Sequence, residues 1–216
     1  MLQWIEMICL EATMNKITGA IFDLDGTLSN TIDTIAYFVN LALEHFGFAP
    51  IETEKYKYLC GNGAKLLIER SLKTVGAPAE YFDKVYPYYV EAYDKDFMFL
   101  TRPYDGIFEM LDALKAKGVK TAVLTNKPHM TACKVIEDLF GERILLCRGV
   151  KDDGITKPDP TGVYEIMNTL KVNKEDILYV GDTGTDMETG RNYLEHREHY
   201  DALGGTVVYT GPIDAY

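Results

Sequence analysis

The 216-residue chain has little positive charge: 22 Lys and Arg stand against 33 Asp and Glu, a net charge of −11. That balance argues against a non-specific nucleic-acid binder and against a protein of anionic membrane surfaces. Cysteine is scarce too. The four thiols, Cys9, Cys60, Cys133 and Cys147, have no Cys-x-x-Cys spacing and follow no secretory leader, so they read as reduced core thiols in a cytoplasmic protein. The four histidines, His45, His129, His196 and His199, show no metal spacing with a partner strand, and none is assigned to catalysis. No apolar run is long enough to span a bilayer, and there are no repeats and no low-complexity stretch. With 47% hydrophobic content, the chain can bury a real core as one large domain or one domain carrying a smaller insert. Residues 1–13 mix Trp4, Ile5, Met7, Ile8 and Leu10 with Glu6 and Glu11 and read as an N-terminal extension.

The most informative stretch is Asp23-Leu24-Asp25-Gly26-Thr27, which directly follows the apolar run Ile17 to Phe22. Carboxylates at the end of a buried parallel strand stand where α/β enzymes place their chemistry. Side chains alternate along an extended chain, so Asp23 and Asp25 can share one side, and Gly26 lets the backbone turn away from the sheet. Two such acids suit one nucleophile, one proton carrier and a shared divalent cation.

Helical spacing then runs through Ile32, Ile35, Ala36, Val39, Leu43 and Phe46 to a stop at Gly47. A second helix is expected after Gly61-Asn62-Gly63, and a third from about Glu80 to Phe97. No strand pattern occurs between residues 29 and 100. The tyrosines of this block, Tyr81, Tyr86, Tyr88, Tyr89 and Tyr93, are read as packing between helices. Beyond Arg102 the pattern alternates. Helices are expected over Ile107–Lys117, Thr131–Phe140 and Thr161–Leu170. Strands are expected over Val119–Leu124, Ile144–Leu146, Asp176–Val180 and Thr206–Tyr209. Strands alternating with helices predict a parallel sheet covered on both faces. Three more polar clusters then fall at its strand tips or helix starts: Thr125-Asn126, Lys157-Pro158-Asp159-Pro160, and Gly181 to Asp186.

In this order the motifs resemble those of the haloacid dehalogenase-like hydrolase superfamily, in its phosphoglycolate phosphatase-type branch. The resemblance covers about Met14 to Asn192 and rests on Asp23-Leu24-Asp25-Gly26-Thr27, Leu124-Thr125-Asn126-Lys127, Lys157-Pro158 and Gly181-Asp182-Thr183-Gly184-Thr185-Asp186. It implies an α/β fold with a Rossmann-like parallel sheet core, residues 14–28 and 101–216, and an inserted helical cap domain, residues 29–100. It further implies a Mg²⁺-dependent phosphomonoesterase acting on a small-molecule phosphoester, with no nucleic-acid or membrane partner. Asp23 would be the nucleophile and Asp25 the acid and base. Asp23, the Asp25 carbonyl, Asp182 and, directly or through water, Asp186 would hold the metal. The Thr125 hydroxyl and the Asn126 amide would bind phosphoryl oxygens, and Lys157 would offset developing charge. Lys127 reads as a solvated loop charge. The glycines of Gly61-Asn62-Gly63, at a helix start, would expose backbone N–H groups to an acidic substrate tail. Two rival readings are a sugar phosphomutase of the same superfamily and a non-catalytic ligand-binding module. One departure stands out: Tyr193 to Tyr200 lengthens the helix after the last motif, and the strand and helix that family members usually add beyond it are missing before Tyr216.

Overall fold

The fold was analysed on a computed structural model, which describes Ile8, residues 17–193 and the backbone of 194–195 and 206–209. Ile8 is helical and fully buried. The rest of the N-terminal extension, Cys9, His196 and His199 lie outside the described residues. The chain divides into two compact units, one formed by Met1–Ser29 with Pro103–Tyr216 and the other by Asn30–Arg102.

The first unit is built on a five-stranded sheet whose pairings are all parallel, in the order β5-β4-β1-β6-β7. Its strands are β1 (Gly19–Phe22), β4 (Lys120–Pro128), β5 (Leu146–Val150), β6 (Ile177–Gly181) and β7 (Thr206–Tyr209). Two-residue strands β2 (Ser29–Asn30) and β3 (Arg102–Pro103) pair as a ribbon where the chain passes from one unit to the other. β1 and β6 are buried at every position, as a central strand without alternation requires. Helices α5 (Ile107–Ala116), α6 (His129–Leu139), α7 (Thr161–Leu170) and α8 (Gly184–Glu195) connect the strands. Ile21, Ala122, Val163, Ile166 and Tyr179 pack into one buried cluster of this unit.

The second unit is helical, with α1 (Ile32–His45), the single turn α2 (Tyr56–Leu59), α3 (Ala64–Thr74) and α4 (Phe82–Lys95). Gly47 takes a φ of +83° and ends the first helix, as its position suggested. Tyr89 and Tyr93 are buried among Phe38, Val39, Leu43 and Val85, and Tyr81, Tyr86 and Tyr88 pack partly against them, so the tyrosine stripe is core. Asn40 fastens the loop after α1: its amide donates to the Ile51 carbonyl, and its oxygen accepts from the Ile51 N–H and the Tyr56 hydroxyl, each at 2.8 Å.

Two expected strands differ in extent. β4 continues to Pro128 and its register shifts between Leu124 and Pro128, so Thr125 and Asn126 sit within an irregular strand end. β5 begins at Leu146, not Ile144; Ile144 and Leu145 belong to the approach from a 3-10 turn at Gly141–Arg143. Gly149 in β5 allows this close packing, since a Cβ there would lie 2.6 Å from the Lys127 carbonyl oxygen. The cysteine reading also needs correction: Cys60, Cys133 and Cys147 form no disulfide but are only half-buried.

Candidate active site at the strand tips

The Asp23 N–H donates to the Val180 carbonyl at 2.8 Å, carrying the β1–β6 ladder one residue into the acidic motif. The chain then reverses. The Leu24 carbonyl accepts from the Ser29 N–H at 2.9 Å and from the Ser29 hydroxyl at 3.1 Å, while the Gly26 N–H donates to the Ser29 carbonyl at 2.9 Å. Gly26 has a φ of +95°, and a Cβ on it would stand 2.2 Å from an Asp182 carboxylate oxygen. The glycine of the motif therefore serves both the turn and the close approach of β6. At the tip of β6, a Cβ on Gly181 would fall 2.3 Å from the Asp186 side chain. Small residues at both tips let three acids converge.

Carboxylate oxygens of Asp23, Asp182 and Asp186 lie within 4.8 Å of one another. Lys157 Nζ joins two of them, donating to Asp23 Oδ1 at 2.7 Å and to Asp186 Oδ1 at 2.6 Å, and all three of these residues are buried. Asp186 also accepts from the Tyr179 hydroxyl at 3.2 Å, the Thr183 hydroxyl at 2.6 Å and the Thr183 N–H at 3.1 Å. Thr27 donates its hydroxyl to Asp182 at 3.1 Å. Asn126 clamps the lysine loop: its oxygen accepts from the Lys157 N–H at 2.7 Å and its amide donates to the Lys157 carbonyl at 3.2 Å. Thr125 is buried beside this clamp, and its hydroxyl oxygen accepts from the Lys127 N–H at 3.2 Å.

The Lys127 reading was wrong. Its side chain is buried and its Nζ donates to both Asp25 oxygens, at 3.1 and 3.2 Å. Strand alternation could have found it, because Lys127 follows Thr125 by two positions on an extended chain. Tyr179 was also missed, although a tyrosine within a fully buried strand needs a partner for its hydroxyl. Thr27 and Thr183 lay inside quoted motifs without an assigned role. Gly61, Asn62 and Gly63 belong to the helical unit. There the Arg70 guanidinium ties the loop, donating to Asn62 Oδ1 at 2.8 Å and to the Leu59 carbonyl at 3.0 Å. Gly63 opens α3 with a φ of +84°.

The electrostatics are those of acids crowded together in a buried site. Burial raises the Asp23 carboxyl well above its usual range; Lys157 opposes that, and the charges of Asp186 and Asp182 add to it. Asp182 is pushed up to about 7, first by burial and then by Asp186, against the pull of Lys157 and Thr27. Burial pulls the Lys157 ammonium down, but Asp186 and Asp23 outweigh it and hold it well above the usual lysine value. Clustered oxygen donors of like charge fit Mg²⁺, a hard cation that takes carboxylates.

A family model described as haloacid dehalogenase-like hydrolase matches residues 20–194. The chain is 32% identical over 171 residues to phosphoglycolate phosphatase 1 of Pseudomonas aeruginosa, a match covering 77% of this chain and 62% of that relative. It is 31% identical over 194 residues to phosphoglycolate phosphatase of Agrobacterium fabrum, covering 88% of this chain and 81% of the relative. A crystal structure described as a phosphoglycolate phosphatase from Lactobacillus delbrueckii superposes with a TM-score of 0.77 at 28% identity, over 82% of this chain and 83% of that one.

Proposed function

We propose that this chain, a phosphatase that belongs to the haloacid dehalogenase-like hydrolase family, hydrolyses a small acidic phosphate monoester of the phosphoglycolate kind through an aspartyl phosphate on Asp23. The observation that carries the reading is the different treatment of two acids from one strand tip. Asp23 is paired to Lys157 beside two further carboxylates, and Asp25 is held by Lys127.

In this reading an Asp23 oxygen attacks phosphorus as the bond to the leaving oxygen breaks, and Asp25 gives that oxygen a proton. A water molecule then loses a proton to Asp25 and attacks the same phosphorus, releasing phosphate and restoring Asp23. Lys157 offsets charge on the transferring group, and the Thr125 hydroxyl and the Asn126 N–H take its oxygens. Asp23, Asp182, Asp186 and the Asp25 carbonyl would hold Mg²⁺, which when bound lowers the repulsion between an anionic nucleophile and an anionic phosphate. The helical unit is assigned the role of the cap domain, and its Gly61-Asn62-Gly63 loop, with glycine at a helix start, that of reading the substrate's acidic tail.

The test compares Asp23→Asn and Asp25→Ala on an aryl and an alkyl phosphate. Asp23→Asn should lose more than about 10³-fold in kcat on both while melting like the parent, because the amide has nearly the same size but is a poor nucleophile. Asp25→Ala should release a burst of aryl alcohol with phosphate lagging, since an aryl leaving group needs little protonation while the second step still needs a base. An Asp23→Asn enzyme retaining one tenth of parental activity would refute the covalent route.

A further inference from the structure

Away from the aspartates, the first unit holds a second group of side chains with metal-ligand chemistry. His129 and Cys133 stand one turn apart on α6, so both project from the same helix face, and Cys147 lies on β5, the strand against which α6 packs. One ligand atom of each lies within 4.8 Å of the others. Cys133 Sγ is 3.7 Å from His129 Nδ1 and 3.8 Å from Nε2. Zinc with bonds of about 2.1 Å to nitrogen and about 2.3 Å to sulfur sets those two atoms about 3.6 Å apart in a tetrahedron. The sulfur–nitrogen separation found is close to that, and because Sγ stands nearly equidistant from both ring nitrogens the imidazole would turn to aim Nδ1 at the metal.

The geometry points to a second, soft-metal site that takes Zn²⁺ through Cys133 Sγ, Cys147 Sγ and His129 Nδ1, with its fourth position open to water. Nδ1 is the nitrogen assigned: its lone pair now accepts only a long 3.3 Å hydrogen bond from the Gly149 N–H, which the metal would displace, leaving the proton on Nε2. All three residues are half-buried, so the cluster is not sealed within the core. Thiolate and imidazole donors select zinc over Mg²⁺, whereas the all-oxygen aspartate cluster has the opposite preference, so the two sites do not compete under ordinary conditions. Zn²⁺ with two thiolates and a neutral imidazole carries no net charge. Lys151 and Arg148, whose charges are felt at His129, therefore do not oppose the filled site. His129 follows Lys127 and Pro128 directly, so a metal here pins the irregular end of β4 that carries Lys127. The role is structural.

The test uses the full chain, reduced, stripped with chelator and then held in excess Mg²⁺. Titration with Co²⁺, a spectroscopic substitute for zinc, should reach one equivalent with a thiolate-to-metal charge-transfer band and tetrahedral d–d bands. Zn²⁺ should displace it and raise Tm by at least about 4 °C at a hundredfold excess over Kd. Cys133→Ser and Cys147→Ser should each lose the band and weaken Zn²⁺ by more than about 100-fold, since even residues that only support a ligand cost up to that much. Cys60→Ser should leave both readouts unchanged. X-ray absorption on the zinc-loaded parent should give two sulfur scatterers and at least one nitrogen, a result that depends on no variant folding. A folded parent that shows no charge-transfer band, or a zinc shell without sulfur, overturns the site; so does a parent isolated with a Cys133–Cys147 disulfide that reductant at cytosolic strength leaves intact.

Discussion

Lys127 changes what a single residue in this site is expected to do. Held at 3.1 and 3.2 Å from both Asp25 oxygens and buried, it fixes the carboxylate that is assigned the proton transfers. Lys127→Met keeps the length and the apolar stem but removes the charge and the donors. The variant should melt near the parent, because Asp25 is partly exposed and water can replace the ammonium. Its kcat on an alkyl phosphate should fall about 10- to 100-fold, and on an aryl phosphate several times less, since mispositioning a proton donor matters only where the leaving group needs one. Steady-state kinetics on the two substrates read this directly. Equal losses would mean that Lys127 acts on the phosphate itself.

At the scale of elements, the helical unit depends on one half-buried amide. Asn40→Ala would strand the Ile51 N–H and carbonyl and the Tyr56 hydroxyl, and should cost about 2–4 kcal/mol, read as faster amide exchange throughout α1 and α4 or as a lower denaturant midpoint. Asn40 is silent in the sequence because its partners lie on a loop and a single helical turn that have no periodic signal. Where burial imposed a period, the sequence was legible: α1, α7 and β7 appear where their apolar spacing and breakers put them. The end of β4 was not, because a strand that changes register mixes polar and apolar residues as a loop does. The acids and Lys157 were legible through motif order. Lys127 and Tyr179 were not: the partner of Lys127, Asp25, is far away in sequence, and that of Tyr179, Asp186, is near in sequence but meets it only when α8 folds back over the end of β6. The reading of Cys133 and Cys147 failed similarly, since helix spacing brings His129 to Cys133 but only the fold adds Cys147.

Across the whole molecule, the gathered acids tie stability to pH and to metal. In the folded protein Asp182 titrates at about 7 rather than at the usual 3.8. Between those values the folded state holds the proton more tightly than the unfolded chain, so ionisation opposes folding. Metal-free protein should therefore lose stability as pH rises from about 4 to about 7 and lose no more on this account above it. Mg²⁺ favours the ionised carboxylates and should flatten or reverse that slope. Urea titrations across this range, with Mg²⁺ and with EDTA, decide it; parallel curves would mean the cation does not bind the acids.

The position of β1 also sets an order of events during synthesis. This strand, which carries the proposed nucleophile, is made well before either of its neighbours yet sits at the middle of the sheet: Gly19 pairs with Lys120 on one side and with Ile177 on the other. Until residue 180 or so has left the ribosome, an apolar strand with acids at its tip has no complete place to go. The helical unit, Asn30–Arg102, is one contiguous stretch with its own core, so it can close while β1 waits. Pulse-labelled hydrogen exchange during refolding should find α1 and α4 protected before Ala20 to Phe22. Asp23, the proposed nucleophile, is made long before the strands that flank it and would be among the last to reach its working environment, which would keep that acid idle in the unfinished chain.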